Sequence, residues 1–200
     1  MSKFKMMEIS VAIGLVISVI FSVVSFGVSC EDIRSSVLRL HILANSDSKE
    51  DQAIKIIIRD ALLESGNELF EGTMSVENAH RCLENNKSQL IAYINNILVD
   101  NGFEYKSDVY LIKEYFETRS YDEFTLPAGE YLALKVILGN GAGHNWWCVM
   151  FPPLCLPAAT ENTELDIVFN QNCSQIVKSS PEYEIRFKFI EIIERIKCKF

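Results

Sequence analysis

The chain has 200 residues, with 19 Lys and Arg against 27 Asp and Glu and a formal net charge of -8. An acidic chain lacks the basic face that holds a phosphate backbone, which excludes a nucleic-acid binder. Hydrophobic residues at 48% and charged ones at 23% suffice for a buried core and exclude a wholly disordered chain. Nine Gly and five Pro exclude a collagen-like or linker-dominated chain, and six Cys are too few for a disulfide scaffold while leaving room for one or two bridges.

Ile9 to Val28 is a run of twenty residues without a charge, preceded by Lys3 and Lys5 and followed by Glu31 and Asp32. About 20 apolar residues at ~1.5 Å each span a hydrocarbon core of ~30 Å. Basic residues before the run and acidic ones after it place the N-terminus inside and residues 31–200 outside the cytoplasm. The run exceeds the ~7–15 residues of a signal-peptide core, which favours an uncleaved anchor. Ser25, Gly27 and Ser29 still supply an A-x-A-like cleavage site, and Gly27-Val28-Ser29-Cys30 admits acylation at Cys30. Residues 1–30 are therefore set apart as signal peptide or anchor, and 31–200 as a single extracytoplasmic domain. That domain is acidic, so anionic headgroups repel it, and membrane attachment falls to the N-terminal segment.

Val37 to Ala44 alternates Leu38, Leu40 and Ile42 with Val37, Arg39, His41 and Leu43, the period of a strand. Asn45-Ser46-Asp47-Ser48 is a turn cluster, and Ser48 with Asp51 makes a capping signal for a helix. Ile54, Ile57, Ile58, Ala61 and Leu62 form that helix's apolar stripe, and Ser65-Gly66 marks its end. Ser75 caps a second helix with Val76, Ala79, Leu83, Leu90, Ile94 and Ile97 on one face, closed by Asn101-Gly102. Val109 and Leu111 then alternate with Asp108, Tyr110 and Ile112 as a second strand. Ser120–Thr125 reads as a turn or short edge strand, and Tyr131–Leu138 as a further strand. Trp146–Phe151 reads as a strand returning beside it. Residues 157–180 carry the least pattern, with Leu165, Ile167, Val168 and Phe169 available to dock. A last helix starts at Pro181, with Ile185, Phe189, Ile192, Ile193 and Ile196 on its apolar face. The order predicts an α+β fold: a small, mainly antiparallel sheet with helices packed on one face, behind the N-terminal hydrophobic segment.

Gly139, Gly141 and Gly143 do not match G-x-G-x-x-G, and no Gly-Lys-Ser/Thr follows, so the spacing reads as a hairpin loop and not as a phosphate cradle. With His144, Asn145, Trp146 and Trp147 beside it, the loop reads as a contact surface for a protein partner. Trp146 and Trp147 point to opposite faces of a strand; an exposed Trp is a typical interface anchor. Cys148 and Cys155 are read as a disulfide pair turned back by Pro152-Pro153. Unpaired thiols, zinc ligation with His144, and a Cys/His nucleophile pair are the alternatives. His41 on the first strand, with Asn45 and Asp47 after it, forms a secondary candidate face, and His41 is also weighed as a general base with Asp47 or Asp51. Neither G-x-S-x-G, H-E-x-x-H nor C-x-x-C occurs, so no catalytic residue, metal or cofactor is assigned.

Two stretches carry more. LHILANSDSKEDQAIKIIIRD (Leu40 to Asp60) and LPAGEYLALKVILGNGAGHNWWCVMFPPLC (Leu126 to Cys155) resemble stage II sporulation protein R of endospore-forming Firmicutes. The resemblance implies a signalling protein and not an enzyme. Such a protein is made in the forespore and exported into the space between the two septal membranes. There it activates a membrane-embedded aspartyl protease that cleaves pro-sigma-E in the mother cell. The rival reading is an extracytoplasmic hydrolase using a Cys/His pair.

Overall fold

A computed structural model of the chain describes residues 3–70, 72–73, 75–121, 124–152, 169, 171–178 and 181–197. A long helix, α1 (Lys3–Ser35), precedes β1 (Leu38–Leu43), α2 (Lys49–Leu69) and α3 (Val76–Asp100). Then come β2 (Ser107–Phe116), the two-residue strands β3 (Arg119–Ser120) and β4 (Thr125–Leu126), β5 (Gly129–Leu138) and β6 (Asn145–Phe151). Two helices close the chain, α4 (Gln171–Val177) and α5 (Pro181–Lys197).

The main sheet has the order β2-β5-β1-β6, and β3 pairs with β4 apart from it. β1 runs parallel to β5 and antiparallel to β6, and β2 is antiparallel to β5. The fold is thus α+β with a small sheet whose pairings are mainly antiparallel. Helices pack on one face as expected: Leu38, Leu40 and Ile42 meet Ile54, Ile58 and Leu62 of α2 and Leu83, Ile94 and Leu98 of α3. A second set covers part of the other face. There Val37, Ala133, Tyr131 and Val149 pack with Phe26, Cys30 and Ile33 of α1, Ile176 and Val177 of α4, and Phe187 and Ile190 of α5.

Several sequence expectations change here. β6 does not return beside β5; it pairs with β1, which lies between them. β1 is buried on both faces, Arg39 and His41 included, and sits in the sheet interior, where both of its backbone edges find partners. The Gly139–His144 segment is therefore no hairpin: it crosses over the end of β1. α2 runs through Gly66 to Leu69, because that glycine serves close packing; a Cβ there would sit 3.3 Å from Met150 Cε. Ile57 leaves the expected stripe and is exposed. On α5 the buried apolar residues are Phe187 and Ile190, while Ile185, Phe189, Ile192 and Ile196 are exposed. The short helix α4 carries no clear sequence period, yet it buries Cys173, Ile176 and Val177; Phe169 is buried just before it. Leu165, Ile167 and Val168 lie outside the described residues.

α1 is long and apolar enough to cross a membrane by length and composition. It continues past residue 30, and its last turns belong to the core. Cys30 and Ile33 are fully buried. Arg34 Nη1 donates to the Ala128 carbonyl at 2.8 Å, and the side chain pairs with Glu31 at 2.7 Å.

Candidate functional site

The loop after β1 and the loop before β6 meet at one end of the sheet. Ser48 caps α2 by accepting from the Asp51 N–H at 3.1 Å, which fixes the turn Asn45–Asp47 in front of the helix. Asp51 is buried and ties this turn together. Its carboxylate accepts from Asn45 Nδ2 at 2.9 Å, Ser46 Oγ at 2.5 Å and the Tyr105 hydroxyl at 2.6 Å. Burial opposes ionisation of Asp51, but the hydrogen bonds from Ser46, Tyr105, Asn45 and Ser48 outweigh it and hold the carboxyl below its ordinary value.

The glycine loop is locked onto that turn. Gly143 N–H donates to Ala44 O at 2.9 Å, and Asn140 N–H donates to Asn45 Oδ1 at 2.9 Å. A Cβ on Gly143 would fall on the Ser46 carbonyl, well inside contact distance, so only glycine fits. Gly139 adopts φ +55°, and a side chain there would run into Asn45. The buried Lys55 closes the underside: its ammonium donates to His144 O at 2.9 Å and to Gln52 Oε1 at 2.6 Å. Burial lowers the Lys55 pKa, and the Asp47 charge opposes that shift.

Outside, Asp47 Oδ1 accepts from the His144 N–H at 2.6 Å and also pairs with His144 Nδ1. The hydrogen bonds from His144, side chain first and backbone second, lower the Asp47 pKa. Both side chains are exposed, His144 at 79%. Next to them His41 stacks on Trp147, with centroids 3.6 Å apart. His41 Nδ1 pairs with Glu114 Oε2 at 2.8 Å, and its Nε2 meets the Asn145 side-chain amide at 2.9 Å. Glu114 also binds Lys135 at 2.6 Å. Burial would raise the Glu114 pKa, but hydrogen bonds from Lys135 and His41 bring it below the ordinary value.

The two faces named separately from the sequence are thus one corner. Gly139, Gly141, Gly143, His144, Asn145 and Trp147 sit against His41, Asn45 and Asp47. Trp146 lies on the opposite face of β6, half-buried under Arg59, whose Cζ is 4.6 Å from the ring; the Trp146 Nε1 is buried with no partner among the described residues. His41 does not join Asp47 or Asp51 as a base: its carboxylate is Glu114, and the carboxylate of His144 is Asp47. Sequence reading missed Glu114, Lys55, Tyr105 and Arg39. Arg39 had a signal, a cation in an otherwise apolar strand. It is fully buried, donates to the Cys148 carbonyl at 3.1 Å and to the Tyr121 hydroxyl at 2.7 Å, and lies 4.4 Å from the Phe116 ring centre.

Chemically the corner is a preordered surface, its polar side chains already tied to one another. Ser46 Oγ is committed to Asp51, and Cys148 is buried and disulfide-bonded, so neither stands ready as a nucleophile for His144. Cys155, the partner expected for Cys148, lies outside the described residues.

Comparison with known proteins adds the following. The family model described as Stage II sporulation protein R matches residues 34–161. A protein of Bacillus subtilis (strain 168) named Stage II sporulation protein R is 40% identical over 123 residues, which cover 62% of this chain and 55% of that relative. The chain thus spans about half the length of the curated relative it matches. No solved structure matches the chain.

Proposed function

The chain belongs to the stage II sporulation protein R family, and on that premise we propose that it is an intercellular sporulation signal. In this reading it is exported from the forespore, stays attached through α1, and activates a membrane-embedded aspartyl protease that cleaves pro-sigma-E in the mother cell. The observation that carries the reading is the joining of the two family-like stretches at one exposed corner. Residues 97 positions apart, Asp47 and His144, are bonded there by two contacts. A fold that spends a buried carboxylate, a buried ammonium and two sterically required glycines on one surface loop holds that loop in a single shape. Such rigidity lowers the ordering cost of docking a protein partner.

Beside the loop the half-buried Trp147, backed by the buried His41 it stacks on, supplies an aromatic edge of the kind that anchors interfaces. The rival hydrolase reading needs a thiolate at Cys148, and a buried sulfur in a disulfide does not provide one. The test is reconstitution. The exported chain is co-expressed with the protease and pro-sigma-E, and processing of pro-sigma-E is followed for wild type and for His144→Ala. Processing that depends on the chain and on His144 supports the reading. Processing that occurs without the chain refutes it.

A further inference from the structure

The cysteines divide between the two faces of the sheet. Cys148 is buried with Leu40 and Leu62 in the core that the sheet shares with α2 and α3, and Cys82 packs against that same core. Cys30 of α1 and Cys173 of α4 are buried on the opposite face, in one cluster with Phe26, Ile33, Ile176 and Val177. The sheet stands between the two groups, so among the described cysteines Cys30 and Cys173 have only each other to meet. Cys173 Sγ lies 3.7 Å from the carbonyl oxygen of Ser29. That oxygen belongs to the peptide group that leads into Cys30, so the Cys173 sulfur sits at the base of the Cys30 side chain. Cys30 is fully buried and Cys173 only 2% exposed, and both stand as thiols in this structure. Burial pushes the Cys30 thiol up to about 12; Arg34 opposes the shift, and the nearby Cys173 sulfur adds to it.

We propose that Cys30 and Cys173 form a disulfide that fastens the end of α1 to α4. The oxidant is a second disulfide, carried by a small thiol compound or by a thiol–disulfide oxidoreductase outside the cytoplasm. One cysteine thiolate attacks a sulfur of that disulfide and expels one thiolate. The other cysteine thiolate then attacks the mixed bond and expels the second. The protein gives up two protons and two electrons, and the oxidant leaves as two thiols. Thiolate is scarce once Cys30 is buried, so the bond closes during folding and is shielded from reductants afterwards. Its role is structural. α4 has seven residues, too few to hold a helix unaided, and the bond gives it a covalent hold on α1. A sulfur used in this bond is closed to acylation, so the pairing excludes a lipid at Cys30. The proposal is independent of the His144 corner. It rests on the export proposed above only for its oxidant, which the test supplies in vitro.

The test uses the full chain in neutral detergent. It is equilibrated in a glutathione buffer poised toward the disulfide, at a urea concentration just below the unfolding transition, where buried thiols open transiently. Remaining thiols are alkylated in strong urea, and a digest made without reductant is read by mass spectrometry. The expected result is a cross-linked peptide pair holding Cys30 and Cys173. Dithiothreitol is expected to open this bond about tenfold or more slowly in the folded chain than in the unfolded one. Full reduction is expected to lower the urea midpoint of the wild type further than that of Cys30→Ala or Cys173→Ala, which lack the bond from the start. Alkylated thiols at both positions, a lipid on Cys30, or a bond from either residue to Cys155 or Cys198 overturns the proposal. So does a midpoint loss on reduction that is equal in the wild type and both variants, which would leave the two sulfurs as separate packing groups.

Discussion

Asp47 Oδ1 accepts the backbone N–H of His144 at 2.6 Å and pairs with the imidazole of the same residue. One exposed carboxylate thus pins the loop that carries the glycines and Trp147 to the turn that opens α2. The contact orders the loop more than it stabilises the fold, because both side chains are solvated. Asp47→Ala is expected to leave the thermal midpoint nearly unchanged while the His144 amide exchanges much faster with deuterium. Asp47→Asn keeps an acceptor for that amide and is expected to exchange at an intermediate rate. Equal protection in all three proteins would show that other contacts hold the loop.

Gly143 tests the close approach of the two loops. Its hypothetical Cβ meets the Ser46 carbonyl, a backbone atom that cannot rotate away. Gly143→Ala is expected to destabilise by about 1–3 kcal/mol, the usual cost of forcing an extra methyl into a packed place. Ala142→Ser, on the exposed neighbour, serves as the control and is expected to fall within ~0.5 kcal/mol of wild type. Urea denaturation of both variants measures the difference.

Asp51 and Glu114 set the response to acid. Their carboxyls are held below the ordinary values in the folded chain, so each stabilises the fold fully above its unfolded value of ~3.9 or ~4.3. That contribution disappears as pH falls through the lower folded value. Stability is therefore expected to be nearly flat above pH ~5 with respect to these two groups and to fall steeply below ~4. Asp51→Ala leaves Tyr105, Ser46 and Asn45 without their acceptor and is expected to cost about 3 kcal/mol at neutral pH, with a shallower acid limb. An unchanged acid limb in Asp51→Ala would remove Asp51 from this account.

The sequence announces most elements through periodicity and caps. Ser48 and Ser75 sit at the N-caps they suggest, and β1 alternates as read. Sheet order was not legible, because the pairing of β6 with β1 depends on tertiary burial of β1 on both faces, which a linear pattern does not encode. The face of α5 was misread for a related reason. Ile185, Phe189, Ile192 and Ile196 form the stronger apolar stripe, yet Phe187 and Ile190 are the residues buried in the core cluster that holds Phe26 of α1, where Phe187 meets the Phe26 ring. At the site, residue types showed which loops mattered. They did not show that His41 belongs to Glu114 and His144 to Asp47, since those pairs span 73 and 97 positions.

The end of α1 bears on processing. Phe26, Cys30, Ile33 and Arg34 are buried in the domain. A cut after Gly27 or Ser29 would take Phe26 out of the core, and acylation at Cys30 requires a thiol that is fully buried. The protein is therefore expected to keep its N-terminal helix through residue 35. Phe26→Ala is expected to destabilise the domain by about 3 kcal/mol. A mature N-terminus at residue 28 or 30, read by mass spectrometry, would contradict this.

The central claim is that the His144 corner is the surface through which the chain triggers its protease. It is tested most directly by pro-sigma-E processing in a host that expresses only the exported chain, the protease and pro-sigma-E. Wild type is compared with the double variant His144→Ala, Asn145→Ala, with export and folding checked by protease resistance. The predicted result is processing with wild type and little or none with a folded, exported double variant. Wild-type processing by that folded double variant would place the contact surface elsewhere on the molecule.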